Sequence, residues 1–150
     1  MFDALATAVT TAINAGSWSL AFTAVKATRP TWTLEDLATL RCTVAARTLV
    51  QASDGRKHIR RTCEVEINFQ QHVDLAVGQT REQWIEARNA LLEELLAWFK
   101  PGYRPSTSLD DCVIAGAMAG NSPFVATDLD DRECFNGSLV LTFVRESSTA

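Results

Sequence analysis

Two histidines, four cysteines and a run of acidic residues are the side chains of this 150-residue chain best suited to chemistry. His58 and His72 lie in separate segments, and no stretch resembles a nucleophile elbow that either could serve. Cys42, Cys63, Cys112 and Cys134 form no C-x-x-C pair and have no histidine at ligand spacing. Neither a zinc site nor a disulfide framework follows, and reduced, buried thiols are expected. Gly116-Ala-Met-Ala-Gly120 is not a dinucleotide fingerprint, and no Walker motif occurs. Asp128, Asp130, Asp131 and Glu133 lack the ligand ladder and bend glycine of a calcium loop, so they read as a solvated acidic loop. The reading is a non-enzyme with no catalytic residue, no metal ligand and no cofactor.

One charge cluster is left to explain. Arg56-Lys57-His58-Ile59-Arg60-Arg61 puts four cations in six residues. Such a cluster can simply keep a strand edge soluble and unpaired. It can also contact an acidic surface or a phosphate backbone. The acidic stretch 128–133 offers a matching surface on a neighbouring copy. The expected contact set is therefore Arg56, Lys57, Arg60 and Arg61 of one subunit near Asp128, Asp130, Asp131 and Glu133 of the next. Head-to-tail contacts of this kind close into rings.

The cations must be carried by the element around them, and Leu40 to Gln70 reads as one long β-hairpin. Asp54-Gly55 sits near its middle between two alternating runs. With a tight turn at that pair, Leu40, Cys42, Val44, Ala46, Thr48 and Val50 share an apolar face with Ile59, Arg61, Cys63, Val65, Ile67 and Phe69. Arg41, Thr43, Ala45, Arg47 and Leu49 then share a largely polar face with His58, Arg60, Thr62, Glu64, Glu66, Asn68 and Gln70. Arms of about ten residues exceed the usual five or six. Arms this long either extend a large sheet or project to touch something else.

Elsewhere, Phe2, Leu5, Ala6, Val9 and Ile13 form a helical stripe that stops at Asn14-Ala15-Gly16. Ser19 to Thr28 reads as a strand, and Thr33 to Asp36 as a capping box opening a helical turn. Thr80-Arg-Glu-Gln83 caps the main helix over 80–100, whose stripe is Trp84, Leu91, Leu92, Leu95 and Phe99, widened by Ile85, Leu96 and Trp98. Pro101-Gly102 ends it, and loop is expected over 103–110. Cys112–Ala119 reads as a short strand. The last strand, 134–145, is apolar on both faces and should be central or covered by another subunit, with a frayed tail from Glu146.

The sum is one α+β domain over 1–150: an antiparallel sheet of about four to five strands, with two helices packed on one face. At 47% hydrophobic residues the chain can fill a core, and a net charge of −4 implies no bulk attraction to nucleic acid. The apolar opening stretch lacks the basic start of a signal peptide and the unbroken length of a membrane span. Asn136-Gly137-Ser138 matches a glycosylation acceptor, idle without export.

The order of these pieces resembles the tail-terminator and tail-completion proteins of long-tailed bacteriophages. The features that carry it are an opening helix, Leu40-Arg-Cys-Thr-Val44, and a hairpin ending Glu64-Val-Glu-Ile-Asn-Phe-Gln-Gln71. A helix from Trp84 to Leu-Leu-Ala-Trp-Phe99 follows, then Asp131-Arg-Glu-Cys-Phe-Asn-Gly-Ser-Leu-Val-Leu-Thr-Phe143. The resemblance implies a virion component that acts during assembly in the host cytoplasm. It implies a ring of about six subunits that caps the tail tube and meets the head connector. Genome DNA would pass through the lumen without specific binding. A head-to-tail stopper or another neck component shares this size and composition. A small ligand-binding or enzyme domain, marked by a deep apolar pocket, is the reading from outside phage structure.

Overall fold

The computed structural model describes residues 2–53, 55–104, 112–119 and 134–148. The acidic stretch 128–133 and Asp54 lie outside the described residues, as does most of the span read as loop over 103–110. Helix α1 (Phe2–Ala15) buries Leu5, Ala6, Val9 and Ile13, four residues of the stripe the spacing predicts. Its threonines cost it little, because Thr7, Thr10 and Thr11 each donate the hydroxyl to the carbonyl four residues back. Asn14 ends the helix and also ties it to the sheet. Its amide donates to the Ala24 carbonyl at 3.0 Å, and its carbonyl accepts from the Ala24 N–H at 2.8 Å.

Among the described residues the fold is α+β, with two helices and a five-stranded mixed sheet that is mostly antiparallel. The strands are β1 (Ala24–Lys26), β2 (Arg41–Ser53), β3 (His58–His72), β4 (Cys112–Ala119) and β5 (Cys134–Ser148), in sheet order β1-β2-β3-β5-β4. Two expectations need correction here. The strand read over Ser19–Thr28 shrinks to three residues, and it runs parallel to β2 rather than antiparallel. The cause is the crossover over 27–40, which carries the chain back to the end at which β1 began. That crossover holds the anticipated helical turn at Asp36–Ala38, with Thr33 and Asp36 exchanging side-chain-to-backbone bonds. The last strand does not fray at Glu146: Glu146, Ser147 and Ser148 pair with Arg60, Ile59 and His58. As its two apolar faces require, β5 is interior to the sheet.

The hairpin has the expected faces only in its base half. Cys42 opposes Phe69, Val44 opposes Ile67 and Ala46 opposes Val65. Between Ala46 and Thr48 the register shifts by one, with Arg47 as the extra residue of a β-bulge. Beyond it Leu49 opposes Cys63 and Val50 opposes Thr62, so each β2 residue of this half lies on the face opposite to the one expected, while β3 keeps its expected faces. The tip differs too. Ser53 pairs with Ile59, so a loop longer than two residues joins the arms, with Gly55 in the left-handed region at φ +85°.

Helix α2 (Arg81–Trp98) starts at a complete capping box between Thr80 and Gln83 and ends where Phe99 N–H donates to the Leu95 carbonyl. Trp84, Leu91, Leu92 and Leu95 are buried, whereas Trp98 is 46% exposed and stacks edge-on with Trp18. The buried stripes of both helices form one hydrophobic cluster with alternate residues of β2, β3 and β5. Gly137 sits inside it, opposite Phe69. A Cβ there would lie 2.9 Å from Phe135 Cζ and 3.1 Å from Leu92 Cδ1. The Phe135 ring is fully buried and edge-on to Trp84, so it has little room to move. Gly137→Ala is therefore expected to destabilise the fold by about 1–3 kcal/mol through overpacking. Urea unfolding measures this, and an unchanged midpoint would refute the constraint.

Candidate functional site: the basic hairpin tip

Among the described residues the side chains that could do chemistry are not brought together. His58 opens β3 and His72 closes it, and at ~3.3 Å per residue a 15-residue strand separates its ends by roughly 45–50 Å. His72 borders an open groove of about 430 Å³ with Leu34, Ala38, Val73 and Asp74. The four cysteines are free thiols, with Cys42, Cys63 and Cys112 buried. Among the described residues no group of three His, Cys, Asp or Glu side chains is placed to hold a metal ion. No helix among them is long and apolar enough to cross a membrane.

The charge cluster lies together at the hairpin tip, with Arg60 and Arg61 on opposite faces of the sheet. Arg56 and Lys57 occupy the tip loop and are exposed, as is Arg60. Arg60 lies between Ala52 of β2 and Glu146 of β5, an opposite-charge neighbour across the strands. Arg61 lies between Gln51 and Arg145, and its Nε donates to Gln51 Oε1 at 2.9 Å. The row Gln51–Arg61–Arg145 thus puts two cations directly opposite each other, which costs stability unless an anion is near. Reading the sequence missed Arg145, because β5 was expected to end there rather than run on along the tip. Its alternation with Val144 and Phe143 was the available signal. Nearer the base, Arg47 at the bulge pairs with Glu66 at 3.4 Å, so it is spent within the subunit.

The other half of the expected contact set, Asp128, Asp130, Asp131 and Glu133, lies outside the described residues. Cys134, which follows Glu133, opposes His72 at the base of β3, while the tip is where His58 opposes Ser148. The cations are therefore at one end of the paired β3–β5 strands, and Cys134 is at the other.

A separate polar cluster is structural. Arg88 lies over the Trp84 ring at 3.7 Å and donates to Gln71 Oε1 at 3.2 and 3.0 Å and to the Trp84 carbonyl at 3.1 Å. It clamps α2 to the end of β3. Compared with known proteins, the chain matches no family model and no curated protein.

Proposed function

We propose that this protein is a structural component of a phage virion, a ring subunit that terminates the tail tube and meets the head connector. The observation that carries this reading is the polarity of the β3–β5 pair, with Arg56, Lys57, Arg60 and Arg61 at its tip and Cys134 at its base. Within one subunit the cations lie at the end of the sheet away from Cys134, so they are available to the acids of a neighbour. A repeated contact between unlike surfaces is heterologous, and it closes into a ring where the rotation between neighbours closes. The order of elements, with its long hairpin, supports the same reading. In it the tail tube and the connector are the partners, genome DNA passes through the lumen, and the subunit assembles in the host cytoplasm before joining the virion.

The test is Arg60→Glu with Arg61→Glu. The fold should tolerate both: Arg60→Glu sets like charge against Glu146 but at an exposed position, and a glutamate at 61 would face Arg145 as an opposite charge. Ring formation, read as solution mass by light scattering with and without tail tubes, should weaken at least about tenfold in the concentration required. Raised salt should mimic the substitutions. Assembly unchanged by both would overturn the tip contact. A strict monomer that ignores tubes would overturn the ring.

A further inference from the structure

The outer edge of β2 is closed at one end and bare at the other. β1 pairs only with Cys42 to Val44, and Ala27 N–H donates to the Val44 carbonyl as the chain leaves. Among the described residues no strand pairs with that edge beyond Val44. The stretch Thr48-Leu-Val-Gln-Ala-Ser53 holds no charge, no proline and no glycine, and every residue in it is exposed. Leu49 is 47% and Val50 53% exposed, on opposite faces of the sheet. Strand edges are ordinarily guarded against stray pairing by charge, proline or a bulge. Here the bulge at Arg47 comes just before the bare stretch, and the stretch itself has no guard. Val44 turns its main chain outward, and alternation carried past the bulge along β3 turns Leu49, Gln51 and Ser53 outward as well.

We infer that this edge pairs with the same edge of a second copy, antiparallel about a two-fold axis near Val50. The chain is its own best match for three reasons. Self-pairing sets Val50 against Val50, Leu49 against Gln51 and Thr48 against Ala52, with no charge opposed to like charge. The antiparallel sense sends the two basic tips to opposite ends, whereas a parallel one would set them side by side. The far edge of the sheet is closed at Ile114, the third residue of β4, which accepts from Gly102 N–H at 2.9 Å and donates to the Tyr103 carbonyl at 3.0 Å. It therefore does not offer β2 a continuous strand. This contact is isologous and involves neither the tip nor the acidic residues, so it stands or falls apart from the ring.

The experiment is sedimentation of the full chain over a wide concentration range, at low and at high salt. A dimer is expected that survives salt, because no charge pairs hold it. Gln51→Pro removes an outward N–H from an edge strand and should raise the dimer dissociation constant by about tenfold or more. Val50→Lys puts two cations face to face at the axis and should act alike, so a hairpin upset by proline does not decide the matter. Circular dichroism should be unchanged for Val50→Lys. A dimer indifferent to Val50→Lys overturns the inference. A monomer at every concentration also does, and would leave the edge to a strand from another protein.

Discussion

Trp84→Ala is expected to cost the fold about 3–5 kcal/mol, the range for removing a large buried ring. The indole is 1% exposed and stands at the start of α2, immediately after the capping box. One edge contact ties it to Phe135 on β5 at 6.1 Å between ring centres. Its face carries the Arg88 guanidinium, which in turn holds the nearly buried Gln71 of β3. Without the ring, the cavity term is joined by loss of the cation's platform, and Arg88 is held below its usual arginine range by burial at that site. Trp84→Phe should recover part of the loss by keeping an aromatic edge against Phe135. Denaturant unfolding followed by far-ultraviolet circular dichroism measures both. Equal stability of Trp84→Ala and the wild type would mean that α2 is not anchored through this ring.

The same region shows what the chain discloses as sequence. The cap at Thr80, the stripe from Trp84 to Phe99 and the stop at Pro101-Gly102 are local signals, and each is realised within a residue or two. The hairpin was legible because alternation and Asp54-Gly55 agree. Its distal register was not, because a bulge is a backbone event and Arg47 differs in no visible way from Arg41 on the same arm. One extra residue then reverses the faces of everything beyond it on that arm. The parallel pairing of β1 was hidden for another reason. A strand of three residues carries too little alternation to show its direction, and its partner is fixed by the long crossover. At the candidate site the four cations at 56–61 were readable as a run, whereas Arg145 joins them only through β3–β5 pairing across more than half of the chain. The edge of β2 was legible in composition but not in meaning, since bareness is a property of the sheet.

Raising the pH above about 9 is expected to destabilise the fold through two buried thiols, and the sign follows from where each proton is held. Cys42 is fully buried opposite Phe69, and burial pushes its thiol far above the ordinary value. Cys63 is likewise pushed up to about 11, chiefly by burial, with Cys112 adding to the rise. In the unfolded chain both return to the ordinary value near 9.0. Their contribution is therefore complete below pH 9 and falls as the pH rises, because the unfolded state then releases protons that the folded state retains. The slope is up to about 1.4 kcal/mol per pH unit for each thiol. For Cys63 the fall levels off near pH 11, where its folded thiol also ionises. Cys42→Ala isolates half of the effect. In reducing buffer the variant should be less stable near neutrality, from the small cavity, yet lose stability less steeply between about pH 9 and 10.5, so that the two curves converge. Parallel curves would show that Cys42 is not held as a buried thiol. Convergence would place it in the packed base of the hairpin, where its role is to fill space opposite Phe69 while the exposed tip and edge meet other molecules.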